Sequence, residues 1–300
     1  MSKSPFASRT ALVTGATSGL GLELTRRLVD AGATVIMHAP DQASGDAALE
    51  ELVKGGAEPL RLRLVTADFS NMEEVAAFAG ALTRTVPTLD LLVNNAAIRG
   101  PERRTLTLDG HELTFQINYL APYVLTKALV PALTAARGRV VNMSSAMHRG
   151  GNLGWGDLDR KKGYYLALPV YAQSKLALTM FTRTFADEQA GVLTVVSADP
   201  GTMRTGMLSF YGHVGRPATE VAAELIQLCD PAPRSRHRRA LRPPRTRDAR
   251  RAGGQRDRPR PPGQTHRPAH RNPLTGASSH RACRVSAGVR PVSGRWQTGR

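Results

Sequence analysis

The sequence has few of the features that mark secreted, metal-binding or membrane-spanning proteins. Its 300 residues include two cysteines, Cys229 and Cys283, which show neither a disulfide framework nor metal-ligand spacing. The histidines are scattered without the spacing of a metal site. No apolar run reaches the roughly 18 residues of a membrane-spanning helix, and the first residues run into a strand pattern without an apolar signal region. We therefore expect a soluble, cytoplasmic protein with no metal and no membrane partner.

The positive charge is confined to one end of the chain. The formal net charge is +17, but 19 of the 41 basic residues and 2 of the 24 acidic residues lie in 231–300. Residues 1–230 therefore carry 22 residues of each sign and are neutral. The segment 231–300 also holds ten prolines and no hydrophobic periodicity, so we predict a folded domain over 1–230 and a disordered tail over 231–300.

Two origins of this tail stay open. Arginine without lysine, mixed with proline, glycine and alanine, is typical of GC-rich DNA read in the wrong frame. The favoured hypothesis is that a frameshift near residue 230 replaced the true C-terminus. The alternative is a genuine arginine-rich arm that binds nucleic acid or another polyanion through its phosphates. Nucleic acid is the less favoured partner, because the tail lacks interleaved aromatic residues.

In 1–230, short apolar runs alternate with amphipathic stretches. The predicted strands are Thr10–Val13, Thr34–His38, Leu60–Val65, Leu89–Val93, Gly138–Met143 and Leu193–Ser197. The predicted helices are Leu20–Asp30, Gly45–Gly55, Met72–Thr85, Thr107–Ala135 and Tyr171–Ala190. This alternation predicts an α/β fold, a doubly wound parallel sheet in a single domain. A ligand should lie at the carboxyl ends of the strands, where the strand order reverses.

Two motifs fall in positions that carry chemistry. Glycines at 15, 19 and 21 lie between the first strand and the first helix, where a tight turn brings backbone N–H groups to a phosphate. Tyr171 and Lys175 are four residues apart on a predicted helix and face the same side. A glycine turn followed by Tyr-x-x-x-Lys predicts hydride transfer with a nicotinamide cofactor.

With these motifs, residues 8–228 resemble the short-chain dehydrogenase/reductase family, most of all its retinol-dehydrogenase-like and protochlorophyllide-reductase-like branch. The resemblance implies a Rossmann fold and an NAD(P)-dependent oxidoreductase acting on CH–OH groups. It implies a catalytic set of Asn118, Ser145, Tyr171 and Lys175. The implied cofactor-binding residues are Thr14, Gly15, Thr17, Ser18, Gly19, Leu20, Gly21, Asp68, Phe69, Asn95, Ala96, Tyr171, Lys175, Pro200, Gly201 and Thr205. Ala97 departs from the family's Asn-Asn-Ala-Gly segment.

The residue types suggest a role for each member of the catalytic set. Tyr171 exchanges a proton with the substrate oxygen, and the Lys175 ammonium, together with the oxidised nicotinamide, lowers the pKa of the phenol. Lys175 also holds the ribose hydroxyls. Ser145, rather than Ser144, orients the substrate carbonyl. Asn118 positions a water for proton relay. Each residue alone could equally cap a strand or lie on a solvated helix face. A catalytically silent, cofactor-binding relative is the alternative function.

The cofactor and the substrate are less well defined. By comparison with the family, an acid at position 39 would favour NAD and a basic residue at 40 would favour NADP, but the chain has Ala39 and Pro40. NADP is slightly preferred over NAD, and Asp41 is interpreted as a turn residue. Ser145 and Tyr171 are 26 positions apart, and the long intervening loop is either a wall of the substrate pocket or a surface excursion. Its aromatic residues favour an apolar alcohol or ketone.

The family's last strand and C-terminal segment, which often serve in dimer packing, have no convincing counterpart in the sequence. We therefore expect a sheet without that strand, and homo-oligomer formation stays open.

Overall fold

Six parallel strands form the sheet in the described part of the chain, residues 4–203 and 215–230 of this computed structural model. They are β1 (Thr10–Val13), β2 (Thr34–Ala39), β3 (Leu62–Thr66), β4 (Leu91–Asn94), β5 (Arg139–Met143) and β6 (Thr194–Ala198). Their order is β3-β2-β1-β4-β5-β6, so the direction of winding reverses between β1 and β4. The predicted doubly wound parallel sheet is confirmed, and the reversal places the expected ligand crevice at the carboxyl ends of β1 and β4.

Helices connect the strands and cover both faces of the sheet. They are α1 (Gly19–Asp30), α2 (Gln42–Lys54), α3 (Met72–Thr85), α4 (Leu113–Phe115), α5 (Ala121–Ala128), α6 (Val130–Ala135), α7 (Ala167–Glu188) and α8 (Ala218–Cys229). A π-helical turn, Gln116–Leu120, joins α4 to α5, and 3₁₀ turns occupy Pro59–Arg61 and Ala146–Gly150.

The core consists of two apolar layers, one on each face of the sheet. Successive residues of β1 point to opposite faces, so Val13 packs with Leu24 of α1 while Leu12 packs with Phe78 of α3 and Leu125 of α5. All five of these side chains are buried, and none is more than 4% exposed. Burial on both faces explains why the strands read as continuous apolar runs.

The predicted helix Thr107–Ala135 is wrong at its N-terminal end. Residues 105–112 form a tight turn, in which Thr107 N–H donates to the carbonyl of His111 and Gly110 has a φ of +80°. The helix begins at Leu113, where the Glu112 carboxylate accepts the N–H of Phe115 at 2.7 Å. Prediction overlooked that Asp109-Gly110 is a turn signal inside an otherwise helical pattern.

Other helix boundaries differ by a few residues. Helix α2 begins at Gln42 rather than Gly45, because Asp41 caps it, and α7 begins at Ala167 rather than Tyr171. Helix α8 was not predicted. No helix of the described residues is long and apolar enough to cross a membrane. Thr205 and the predicted tail 231–300 lie outside the described residues, and no seventh strand occurs within 4–203 and 215–230.

Candidate active site

Glycine is required at Gly15 and Gly19, where φ is positive, and at Gly21, where α1 passes close to the turn after β1. Gly15 has a φ of +62°, and a Cβ there would lie 2.8 Å from the Cα of Ala96. A Cβ on Gly21 would lie 2.1 Å from the carbonyl oxygen of Gly15. The glycines therefore allow the turn, helix α1 and the segment after β4 to approach one another closely.

Helix α1 begins beside this turn without a side-chain cap. Its N-cap residue, Ser18, is exposed and makes no capping hydrogen bond, while Thr17 is partly buried. The first N–H groups of a helix lack partners within the helix and favour an anion. Leu20 is 5% exposed with its side chain in the core, so only its backbone can contribute. Thr17, Ser18, Gly19 and Leu20 thus fit the predicted phosphate site.

The segment after β4 is tied to the turn by a reciprocal set of hydrogen bonds. The Thr14 hydroxyl accepts the N–H groups of Asn95 at 2.9 Å and Ala96 at 3.0 Å. The Asn95 amide donates to the carbonyls of Thr14 at 2.9 Å and Gly15 at 3.1 Å. The structure therefore brings four of the predicted cofactor-binding residues together where the strand order reverses.

Two of the predicted cofactor-binding residues, Asp68 and Phe69, follow the carboxyl end of β3. The Asp68 carboxylate accepts the N–H of Ser70 at 2.8 Å and its hydroxyl at 2.6 Å. Phe69 is 3% exposed, so its ring lies in the core rather than in the crevice. A cofactor can reach Asp68 and the backbone here, but not the Phe69 ring.

The end of β2 contains no residue that selects between NAD and NADP. Ala39 is buried, and Asp41 caps helix α2 by accepting the N–H of Ser44 at 2.8 Å. Hydrogen bonds from Ser44 lower the pKa of the Asp41 carboxyl. This carboxylate is committed to the cap, which agrees with the turn role predicted for it.

Tyr171 on α7 and Ser145 after β5 face each other. The Ser145 side chain lies close enough to the Tyr171 hydroxyl to lower its pKa, and the Ser145 hydroxyl accepts the N–H of Met147 at 3.3 Å. Ser144 is buried and lies 2.6 Å from the hydroxyl of Thr179. Ser145, and not Ser144, is therefore the serine beside the Tyr171 hydroxyl.

Lys175 lies one helical turn beyond Tyr171 and is only 2% exposed. Its ammonium donates to the carbonyl of Met143 at 2.9 Å and is 5.5 Å from the centroid of the Tyr171 ring. Burial lowers the pKa of Lys175 to about 8. Part of its charge therefore acts on the face of the ring rather than on the hydroxyl.

The surroundings of Tyr171 raise the pKa of its phenol. Burial raises it, the Ser145 side chain lowers it, and the negative charge of Asp199 raises it further. Because burial outweighs the effect of Ser145, the phenol is protonated at neutral pH. The lowering of this pKa by Lys175 and the oxidised nicotinamide together stays a prediction.

Asn118 lies in the π-helical turn and is fully buried. Its side chain accepts the N–H of Ile98 at 2.8 Å and donates to the carbonyl of Ile98 at 2.9 Å. It also donates to the hydroxyl of Ser174 at 3.0 Å, which in turn donates to the carbonyl of Tyr171 at 2.7 Å. Asn118 thus links the segment after β4 to the helix that carries Tyr171.

Pro200 and Gly201 follow β6 at the same edge of the sheet. The N–H of Gly201 donates to the Asp199 carboxylate at 2.9 Å, and Gly201 is exposed. Thr205, predicted to bind the cofactor, is not among the described residues.

The long loop before α7 is anchored by side chains rather than by secondary structure. Tyr165 donates to the buried carboxylate of Glu112 at 2.9 Å, and Asp159 lies 3.1 Å from the ring of His111. Burial and Glu112 raise the pKa of Tyr165 to about 12. Trp155 is 74% exposed. The loop therefore has a fixed base and an exposed aromatic residue.

Sequence reasoning missed several of these residues. Some of them act through contacts between segments far apart in the chain, and no local sequence pattern indicates them. They are Ser174, Glu112 and Tyr165. His38 gave a usable signal, because a histidine inside a buried apolar strand needs hydrogen-bond partners.

Comparison with known proteins agrees with this geometry. The family model of the short chain dehydrogenase matches residues 9–213. Retinol dehydrogenase 13 of Mus musculus is 32% identical over 206 residues, which cover 68% of this chain and 61% of that protein. Polyprenol dehydrogenase of Mus musculus is 34% identical over 233 residues, which cover 74% and 68%. The chain thus spans less than two thirds of the retinol dehydrogenase.

A solved structure shows the same architecture. A metagenomic short-chain oxidoreductase in complex with NADP matches with a TM-score of 0.58 and 26% identity, covering 76% of this chain and 93% of that one. The chain belongs to the short-chain dehydrogenase/reductase family of oxidoreductases, in its retinol-dehydrogenase-like branch.

Proposed function

We propose that this protein transfers a hydride between NAD(P)(H) and an apolar alcohol or its carbonyl counterpart. One observation carries the proposal: Tyr171 and Ser145, with Lys175 buried beside them, lie at the same sheet edge as the glycine turn. A phosphate site and a proton donor at one edge suit a nicotinamide reaction.

The residues at this edge fit a dinucleotide. The uncapped N-terminus of α1, Gly19–Leu20, would hold the phosphates, Asp68 would face the adenine, and Lys175 would hold the ribose hydroxyls. The bound nicotinamide would supply or accept the hydride.

The proton then moves through Tyr171. In the reducing direction the phenol, protonated because burial raises its pKa, gives its proton to the substrate oxygen. Ser145 donates a hydrogen bond to the same oxygen and fixes its position. Lys175, directed at the face of the ring, stabilises the phenolate that remains.

Asn118 serves this step at a distance. Its amide is fully engaged with Ile98 and Ser174, so a relay water would have to be held by its main-chain carbonyl. A π-helical turn changes the bonding of nearby carbonyls, which supports that role.

The preference for an apolar substrate draws on the relatives and on the loop. Both mammalian relatives are named for apolar alcohols, retinol and polyprenol. The exposed Trp155 and the anchored base at Tyr165 support a wall of the substrate pocket over a mere surface excursion. NADP stays the preferred cofactor, supported by the NADP complex of the structural neighbour. The cytoplasmic location, a homo-oligomer and polyanion binding by the tail remain predictions.

The test is turnover of the purified full chain with retinol and either NADP⁺ or NAD⁺, followed by the absorbance of the reduced nicotinamide. Tyr171→Phe should lower kcat by about 10²–10⁴-fold, because the group that takes the proton from the alcohol is lost, while NADPH affinity stays near that of wild type. Tyr164→Phe is the matched control, since Tyr164 is fully exposed at 102%. Wild-type turnover in Tyr171→Phe would discard the mechanism.

A further inference from the structure

His38 is the last residue but one of β2, and its ring is 2% exposed. Both ring nitrogens are used. Nδ1 accepts the N–H of Gly15 at 3.1 Å, and Nε2 lies 2.9 Å from the carbonyl of Ala67. Because the Gly15 N–H needs an acceptor and the Ala67 carbonyl needs a donor, the ring is neutral with its proton on Nε2.

The backbone of His38 and the aromatic contacts of its ring also hold it against the glycine turn. The His38 carbonyl accepts the N–H of Ala16 at 3.0 Å, so ring and backbone hold consecutive residues of the glycine turn. The ring stacks on Phe69 with centroids 4.0 Å apart, and Phe78 lies 5.3 Å away. Ring stacking and two hydrogen bonds hold the imidazole in a single orientation in the core.

We propose that His38 is a positioning residue for the cofactor, fixing the glycine turn to the segment after β3 through its imidazole. The proposal rests on the proposed function, since it concerns the same dinucleotide site. His38 does not touch the crevice; it acts through Gly15 on one side and through Ala67, the neighbour of Asp68, on the other.

The bond to His38 limits which N–H groups can bind the phosphates. The N–H of Gly15 is bonded to His38, and its carbonyl accepts from Asn95 at 3.1 Å. Gly15 therefore shapes the turn but donates nothing to a ligand, so the phosphates are left to the N–H groups at the start of α1. Loss of the ring should let the turn move and weaken cofactor binding without removing a group that touches substrate.

Two variants separate the hydrogen bond from bulk packing. His38→Phe keeps an aromatic ring next to Phe69 but has no acceptor for Gly15, whereas His38→Asn places an amide oxygen near the position of Nδ1. We expect His38→Phe to raise the NADPH dissociation constant at least tenfold, with kcat at saturating cofactor within threefold of wild type. His38→Asn should recover most of the affinity. His111→Phe, in the turn beside the long loop, should bind NADPH as wild type does.

A second readout concerns the folded protein without cofactor. In ¹⁵N-labelled wild type, His38 should show a protonated Nε2 and an unprotonated Nδ1, and the Gly15 amide should be protected from hydrogen exchange. Protection should fall in His38→Phe and persist in His38→Asn. The reverse tautomer in wild type would overturn the proposal even if His38→Phe failed to fold.

Equal NADPH affinity in a folded His38→Phe would also overturn it, as would a failure of His38→Asn to improve on His38→Phe. If wild type binds neither NADPH nor NADH, the proposed function fails, while the tautomer and exchange results still test whether His38 holds the turn.

Discussion

Two regions are built differently: the side of the crevice at the glycine turn, called the cofactor wall, and the long loop before α7, called the loop wall because we propose that it lines the substrate pocket. On the cofactor side, the glycine turn, Thr14, Asn95 and His38 are held by contacts to main-chain atoms in the buried sheet edge. On the side of the long loop, Tyr165 and Asp159 anchor an irregular segment through side-chain contacts, and Trp155 is exposed. The first wall tolerates little change of shape, whereas the second can vary without loss of the fold.

The strongest test of this comparison exchanges glycine for alanine on each wall. Gly21→Ala places a Cβ 2.1 Å from the carbonyl of Gly15, so the turn must shift. We expect a loss of about 1–3 kcal/mol in unfolding free energy and of most NADPH binding. Thermal unfolding and NADPH titration measure both.

Gly156→Ala is the matched control on the other wall, because nothing lies within 4 Å of its added Cβ. It should bind NADPH normally and unfold near the wild-type temperature. Equal damage from the two variants would show that the walls do not differ as described.

The pH dependence of stability sharpens the account of the cofactor wall. Burial lowers the pKa of His38 from 6.5 to about 4, while the Ala67 carbonyl and the charge of Asp68 oppose this shift. Since the unfolded chain then binds more protons, the contribution of His38 is complete above pH 6.5 and is lost as pH falls towards 4.

Between pH 7 and pH 5, wild type should therefore lose about 2 kcal/mol more unfolding free energy than His38→Phe. Urea unfolding at several pH values measures the difference. His38→Asn cannot titrate and should show the same shallow profile as His38→Phe, although it binds NADPH better. Parallel profiles for wild type and both variants would contradict the buried neutral ring.

On the loop wall, Tyr165→Phe removes the hydrogen bond to Glu112 but leaves that carboxylate the N–H of Phe115. The expected cost is about 1 kcal/mol of unfolding free energy. Because the loop base loosens, KM for the apolar alcohol should rise while NADPH affinity stays constant. Steady-state kinetics at saturating NADP⁺ measures KM. An altered NADPH affinity would show that this loop acts on cofactor binding, which would contradict the comparison.

Trp155→Ala should have the smallest effect on stability, within about 0.5 kcal/mol, because the side chain is 74% exposed. If the loop forms a pocket wall, KM for retinol rises several-fold with kcat unchanged. An unchanged KM would make the loop a surface excursion, the alternative left open by the sequence.

The cofactor wall could be predicted from sequence because its requirements are local. Gly15 and Gly21 are needed by the backbone itself, and the strands on either side read as apolar runs. All six strands were predicted to within two residues at each end. The order of the motifs along the chain placed Tyr171 and Ser145 at the same sheet edge.

The loop wall could not be predicted in the same way. The contact between Glu112 and Tyr165 joins residues 53 positions apart, and the turn at 105–112 interrupts a helical pattern. The burial that raises the pKa of Tyr171 could not be predicted from its motif. His38 lay between these cases: its burial was predictable, but its partners were not.

The central claim, that the edge around the glycine turn binds a nicotinamide dinucleotide, is tested most directly by a fluorescence titration of the full chain with NADPH and, in parallel, NADH. The account predicts saturable binding of at least one, with NADPH the tighter. A chain that is folded by circular dichroism yet binds neither would contradict it.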